Sequence, residues 1–225
     1  EELAAAGVAT VVLTGEQVPG LDYLKDAAGL TADELVNKLR TVASDALGVS
    51  PDVWHFHNHS LGKNVLWPGV VNRMAEDGEC LVLQIHDLAE QGRPGNYRLI
   101  SGQEDLYPFS PRIRYAFLNG RDLGHFTAAG LPSENAVLLP NPVPCPSAFR
   151  EIAADAAPLL FPPIRGIRRK NIGELILLAA LAPAGTRVAI SRAPKNPDAL
   201  PIHDTWRKFV EKHRLPVGFD VVDHY

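Results

Sequence analysis

A group of basic residues lies between a short apolar segment and an amphipathic helical pattern in the second half of the chain. Residues 158–181 read PLLFPPIRGIRRKNIGELILLAAL, with Arg165 and Lys170 in the turn. The start of a helix offers unpaired backbone N–H groups and the positive end of the helix dipole, and Arg and Lys side chains bind phosphate oxygens. The turn therefore predicts a site for a phosphorylated ligand, and for a diphosphate in particular.

Asn171 and Glu174 have the spacing of a capping box, in which Asn171 caps the helix and Glu174 is its third residue. Two other interpretations of the turn remain open. The basic residues can form a solvated charge cluster, or a patch for nucleic acid or for targeting. A formal net charge of −4 argues against a general nucleic-acid binder, and we expect no nucleic-acid partner.

The composition is that of a soluble globular protein. The chain has 225 residues, of which 46% are hydrophobic and 21% charged, a length that suits one large domain or two small ones. No uncharged apolar run reaches the ~20 residues that a membrane-spanning helix needs. The two cysteines, Cys80 and Cys145, have no metal-binding spacing, which is typical of reduced thiols in a cytosolic protein. We therefore expect a cytoplasmic protein without a transmembrane segment.

Apolar strand patterns alternate with helical patterns along the chain. Because such alternation predicts parallel sheets covered by helices, the expected fold class is α/β with two Rossmann-like units. The strand predictions are 8–14, 52–57, 80–86, 113–118 and 136–139 in the first unit, and 158–162, 186–191 and 217–222 in the second. The helix predictions are 32–47, 64–76 and 121–129, then 171–182 and 203–214. Thr31 with Glu34 predicts a capping box at the first of these helices, which ends at Gly48.

A proline-rich segment divides the two series. Four prolines occur in PNPVPCP at the start of residues 140–157, and they exclude a continuous helix or strand ladder there. The expected domains are 1–145 and 158–225, with a linker at 146–157. The second domain has too few strands for a covered sheet, and the first begins in a helix-like segment without an initiator Met. We therefore expect the chain to be incomplete at both ends.

Polar residues follow several of the predicted strands. Ligands of open α/β sheets bind at the carboxyl ends of the strands, so we expect these residues to line a cleft between the domains. They are His57, Asn58, Lys63 and Asn64 after the strand at 52–57, His86 and Asp87 after the next strand, Arg93 and Tyr97 in the loop beyond, and the basic turn after 158–162.

The alternating histidines allow a second interpretation. His55, His57 and His59 would share one face of a strand, and with His86 they would suit a metal-dependent hydrolase. The remaining histidines do not complete such a site. The sequence has neither a Gly-x-Ser-x-Gly elbow nor a Gly-x-Gly-x-x-Gly fingerprint, which argues against a serine hydrolase and an NAD enzyme.

Taken in order, several segments resemble the retaining glycosyltransferases of the two-domain GT-B fold, in the glycogen-synthase and sucrose-synthase-like group. PDVWHFHN and LVLQIHD are similar to two strands of the acceptor-side domain, and NGRDLGHFTAAGLPSENAVLLPNPV to the run that leads into the interdomain linker. IRGIRRKN resembles the Gly-Arg…Lys-Gly element that grips the donor diphosphate. Pro142 and Asn171 stand where the family usually has Gly, and Pro163-Ile164 where a Gly often precedes the Arg.

The resemblance implies an enzyme that moves a sugar from a nucleotide-diphosphate sugar to a hydroxyl acceptor with retention of configuration. It implies no metal and no cofactor besides the donor substrate, and paired glutamates of the donor domain beyond residue 225. A non-catalytic module that binds a phosphorylated ligand stays open beside it. The implied roles are catalysis for His86, donor diphosphate binding for Arg165, Lys170 and Asn171, and the acceptor side for His57, Asn58, Lys63, Asn64, Asp87, Arg93 and Tyr97.

Overall fold

The computed structural model of the protein describes residues 3, 6–27, 29–103, 105–143 and 156–222. The chain divides into two compact units, Glu1–Pro144 and Cys145–Tyr225, which are described separately. The predicted linker at 146–157 lies almost entirely outside the described residues. Within the described part of the chain, no helix combines the length and apolar character needed to cross a membrane.

The first unit is built on a four-stranded parallel sheet with the strands in sequence order. Its strands are β1 (Trp54–His57), β2 (Leu81–Ile85), β3 (Ile113–Phe117) and β4 (Ala136–Leu138). Its helices are α1 (Ala32–Leu47), α2 (Trp67–Glu76), α3 (Pro94–Ile100) and α4 (Gly120–Ala128). The expected α/β class with parallel strands is confirmed.

Alternate residues of the strands supply the core of the first unit. Trp54 and Phe56 are buried on β1 whereas the residues between and after them are exposed, which is the period of a strand. They pack in one cluster with buried residues of β2, β3, α1 and α2. Burial of each large apolar side chain contributes roughly 1.5–3 kcal/mol, so this cluster fixes the sheet on which the polar residues are mounted.

The predicted capping box of α1 is confirmed. Thr31 Oγ1 accepts a hydrogen bond from Glu34 N at 3.2 Å, and Glu34 Oε2 accepts one from Thr31 N at 2.9 Å. The hydrogen bonds that Thr31 N and Thr31 Oγ1 donate to the Glu34 carboxylate lower the pKa of that group. Gly48 ends the helix with φ of 75°, a left-handed conformation that glycine adopts without strain.

The second unit holds a three-stranded parallel sheet in the order β5, β6, β7. These strands are Leu159–Leu160, Arg187–Ala189 and Val217–Gly218. Helix α5 (Ile172–Leu181) connects the first pair, and α6 (Leu200–His213) connects the second. Its smaller core joins Ile172 and Ile176 of α5 to Ile190 and Val210.

Two sequence predictions are wrong at the level of secondary structure. Residues 8–14 form no strand: Val11 and Leu13 pack on the core, but the backbone joins no ladder, because alternation alone does not supply a partner strand. The loop after Asp87 contains a helix, α3, that begins at Pro94. Proline suits that position because its missing N–H has no partner in the first helical turn.

The capping box allows a direct test of helix stability. Thr31→Ala removes the side-chain cap, and we expect a loss of about 1 kcal/mol in the free energy of unfolding. Thr31→Ser keeps the hydroxyl and serves as the control. Urea denaturation followed by circular dichroism measures both variants, and an unchanged midpoint for Thr31→Ala would contradict the assigned cap.

Candidate functional site

Two histidines meet at the carboxyl ends of β1 and β2. His57 is the last residue of β1 and His86 follows β2, and the two imidazoles lie 2.8 Å apart from Nδ1 to Nε2. This is hydrogen-bond distance, so one nitrogen donates and the other accepts. The pair is therefore coupled, and the protonation of one ring determines what the other can donate.

A third histidine completes a short stack. The ring of His55 lies 4.4 Å from the ring of His57 on the same face of β1, and His55 Nε2 lies 3.0 Å from Gln84 Oε1. Partial desolvation lowers the pKa of His57, and repulsion from His55 and His86 lowers it further. His57 is consequently biased toward the neutral form, which can accept a proton from a neighbouring donor.

Asn58 fixes the distance between the two strand ends. Its backbone is left-handed, with φ of 58°, a conformation that asparagine tolerates better than most residues. Its Oδ1 accepts hydrogen bonds from His86 N at 2.7 Å and from Asp87 N at 3.1 Å. The amide thus clamps the residue after β1 to the two residues after β2.

The loop beyond His86 carries a further ion pair. Arg93 Nη2 lies 2.7 Å from Asp87 Oδ2, one residue before α3 begins. Tyr97 lies on α3 and is exposed. Both Asp87 and Tyr97 therefore present polar atoms to solvent, whereas much of the charge of Arg93 is neutralised by its partner.

Lys63 and Asn64 differ in whether their side chains are available to a ligand. Lys63 Nζ donates to the hydroxyl of Tyr23 at 2.6 Å and lies over the same ring, which orients an otherwise flexible cation. Asn64 is only 2% exposed, and its amide bonds to the carbonyls of Gly20 and Asp22 and to Leu66 N. Asn64 thus has a structural environment that does not favour the predicted acceptor contact.

A cleft of about 780 Å³ adjoins this edge of the sheet. It lies between the extended segment that includes residues 9–13 and strand β1. Its polar wall includes His55, His57, Asn58, Lys63 and Tyr23. Its apolar lining includes Leu39, Ala43 and Leu47 of α1. A site of this size and mixed lining suits a small polar molecule with an apolar or ring face.

His59 does not join the other histidines. The strand ends at His57, and the left-handed turn at Asn58 sends His59 into the core, where it is 1% exposed. Its Nε2 donates to the Leu106 carbonyl at 3.1 Å, so Nδ1 of the neutral ring carries no proton, and it is buried without a hydrogen-bond partner among the described residues. The predicted convergence of three alternating histidines is wrong, and the described residues contain no group of three or more His, Cys, Asp or Glu that suits a metal ion.

The basic turn of the second unit comprises residues 163–171, between β5 and the start of α5. Arg165, Lys170 and Asn171 are all exposed, and Arg168–Lys170 form one 3₁₀ turn. Arg165 pairs with Arg192 in an isolated parallel bridge, and Gly166 N donates to the Arg192 carbonyl at 2.8 Å. The turn is therefore tied to the segment that follows β6.

The predicted capping box at Asn171 is wrong, although α5 begins where it was expected. Asn171 ends the 3₁₀ turn in a left-handed conformation with φ of 54°, and its side chain caps nothing. The first N–H groups of α5 are consequently not occupied by this side chain. Glu174 lies in the first helical turn.

Three residues near the candidate sites were not predicted from the sequence. Gln84 supports His55, Arg192 lies beside the basic turn, and His203 is buried beneath that turn. Arg192 was detectable, because it follows β6 at the carboxyl end of a strand. No sequence signal identifies Gln84 or His203, since each depends on a contact between segments distant in sequence.

Comparison with known proteins adds to this geometry. No protein-family model matches the chain. Over 150 residues the chain is 30% identical to the mannosylglucosyl-3-phosphoglycerate synthase of Petrotoga mobilis, and the match covers 57% of this chain and 30% of that protein. The chain thus spans about a third of the curated relative it matches.

A solved structure shares the fold. The apo form of the lipopolysaccharide outer core galactosyltransferase WaaB matches with a TM-score of 0.50 and 11% sequence identity. The match covers 84% of this chain and 48% of that one. At this identity the likeness establishes the Rossmann-like α/β fold alone, and any activity must be argued from the residues of this chain.

Buried His59 predicts a specific acid sensitivity. Burial lowers its pKa from 6.5 to about 4, so the unfolded chain takes up a proton that the folded chain resists. The contribution of neutral His59 to the free energy of unfolding has its full value above about pH 6.5. It falls by up to about 1.36 kcal/mol per pH unit as the pH is lowered, and it stops falling near pH 4.

The test compares two substitutions across this pH range. His59→Gln retains a donor for the Leu106 carbonyl and cannot titrate, so its unfolding free energy should fall less steeply between pH 6.5 and pH 4 than that of the wild type. His125→Gln, at an exposed position of α4, is the control. Equal slopes for wild type and His59→Gln would contradict the assignment.

Proposed function

We propose that this chain belongs to a cytoplasmic glycosyltransferase that moves a sugar from a nucleotide-diphosphate sugar to a hydroxyl acceptor with retention of configuration. The observation that carries the proposal is the exposed basic turn at the carboxyl end of β5, directly before the start of α5. The named activities of the relative and of the structural neighbour support it. In this proposal the rest of a two-domain GT-B enzyme lies outside the chain.

The main chemical demand of such a reaction is charge on the leaving group. The bond from the anomeric carbon to the diphosphate oxygen breaks, a bond to the acceptor oxygen forms, and the acceptor hydroxyl loses its proton. The departing nucleoside diphosphate gains negative charge as this happens. Arg165 and Lys170 would meet that charge, with the N–H groups at the start of α5 beside them.

His86 is the proposed catalytic residue of the first unit. In this proposal its imidazole contacts the transferred sugar or the acceptor hydroxyl. His57, 2.8 Å away and biased toward the neutral form, can accept a hydrogen bond from His86 Nε2, which leaves His86 Nδ1 to accept one from the acceptor hydroxyl. Asn58 keeps the two rings together through its bonds to His86 N and Asp87 N.

The acceptor is proposed to bind in the cleft along β1. Lys63 supplies a positioned cation there, and Asp87, Arg93 and Tyr97 lie on the loop and helix that follow His86. A phosphorylated or carboxylated acceptor fits Lys63, and the relative's name, which includes a phosphoglycerate group, agrees with this. No metal or cofactor has a role in the proposed reaction.

Calorimetric titration of UDP and GDP into the chain tests the donor site. Arg165→Ala with Lys170→Ala should abolish the binding of whichever nucleotide the wild type binds, because two cations are removed from the diphosphate. Arg187→Ala with Lys208→Ala is the matched control. It removes the same charge from exposed positions of the same unit, at the start of β6 and on α6.

The result separates the candidate functions. Loss of binding in the first double variant alone supports the donor site. Equal binding by wild type and both variants would place the diphosphate elsewhere. Binding of a divalent metal ion with no nucleotide binding would favour the hydrolase hypothesis, which the separation of His59 from His57 already disfavours.

A kinetic test addresses the histidine pair in the full-length enzyme. His86→Ala should lower kcat by about 10²–10³, the range for removal of a positioned polar group at a reacting centre. Wild-type kcat should also fall as the solution is acidified through the lowered pKa of His57, because protonated His57 must donate to His86 Nε2, and His86 Nδ1 can then no longer accept a hydrogen bond from the acceptor hydroxyl. His125→Ala, at an exposed site on α4, is the control, and full activity of His86→Ala would contradict the role.

A further inference from the structure

A buried histidine in the second unit has one nitrogen without a partner. His203 lies in α6 and is 2% exposed. Its Nε2 lies 3.2 Å from Asp220 Oδ2, which also accepts from Arg207 Nη1 at 3.1 Å. Nδ1 is buried and has no hydrogen-bond partner within the described part of the chain. A buried polar atom without a partner destabilises the folded state, so stability alone does not explain why a histidine occupies this position.

The unpartnered nitrogen lies against the backbone of the basic turn. A Cβ atom placed on Gly166 would be 2.4 Å from His203 Nδ1 and 2.8 Å from Cε1. The backbone of Gly166 does not have positive φ, so its conformation alone does not require glycine. The close approach of the imidazole does, because any side chain would push the turn away from the ring.

The imidazole itself is held in place. Asp220, just after β7, has φ of 56° and binds Nε2, and the next residue, Val221, donates to the Ile190 carbonyl at 3.3 Å. The ring of Phe219 packs edge-on against His203 at 5.3 Å. The ring therefore forms a fixed support beneath the turn.

We propose that His203 is a positioning residue for the basic turn. Its ring packs against Gly166 and so fixes the position of the turn backbone, which places the neighbouring Arg165 for an anionic ligand. In addition, Gly166 N donates to the Arg192 carbonyl at 2.8 Å. Arg192 N and Ser191 Oγ also donate to the Ile164 carbonyl, at 3.3 and 2.7 Å, so the turn is held by hydrogen bonds to the segment after β6 and by the packed ring of His203. The inference rests on the proposed function, because it takes the ligand to be a diphosphate.

Amide hydrogen exchange across residues 163–171 reads the turn directly. His203→Ala removes the support, and Gly166→Ala pushes against it. Each should speed exchange at Gly166 about tenfold and weaken the binding of inorganic pyrophosphate by a similar factor. Asp220→Asn tolerates the left-handed backbone and loses the ionic partner, so it gives a milder variant if the others fail to fold. His213→Ala, at an exposed position of the same helix, is the control.

The outcomes distinguish the two proposals. Faster exchange and weaker pyrophosphate binding in the His203, Gly166 or Asp220 variants, with His213→Ala unchanged, supports the inference. Unchanged exchange at Gly166 in a folded variant overturns it, even if wild type binds pyrophosphate and Arg165→Ala with Lys170→Ala does not. Faster exchange without any wild-type pyrophosphate binding overturns both the donor site and the positioning role. A lower melting temperature alone, with binding and exchange unchanged, would show a merely structural residue and also overturns the inference.

Discussion

The side chain of Asn58 determines the arrangement of the first unit's site. One amide oxygen accepts from two consecutive backbone N–H groups after β2, while its own residue makes the left-handed turn after β1. The hydrogen bonds bring His86 beside His57, and the turn sends His59 into the core. The geometry of the histidine pair thus depends on the hydrogen bonds and the backbone conformation of Asn58.

In the second unit, the candidate site is positioned by backbone hydrogen bonds and by one buried ring rather than by a side-chain amide. Its cations lie in a turn whose backbone is bonded to the segment after β6 and closes one 3₁₀ turn at Arg168–Lys170. The Arg192 carbonyl binds the turn from the end of β6, and the ring of His203 lies beneath it. Long basic side chains lose considerable conformational entropy on binding, and a fixed backbone reduces the part of that cost that comes from the turn.

Sequence reasoning succeeded where structure is local and failed where it depends on distant contacts. The capping box of Thr31 and Glu34 involves residues three apart, so its pattern was sufficient. Asn171 has the same spacing to Glu174, yet the preceding Arg168–Lys170 turn ends on it and places it in a left-handed conformation that cannot cap. The support of the turn by His203 joins segments far apart in the chain and left no sequence pattern to read.

We have proposed that Arg165 and Lys170 hold the diphosphate of a nucleotide donor, and a crystal structure of the protein soaked with UDP or GDP would show whether they do. We expect density for the β-phosphate within about 3 Å of both side chains, beside the first N–H groups of α5. Diphosphate density at another place in the second unit, with Arg165 and Lys170 in contact only with solvent, would contradict it.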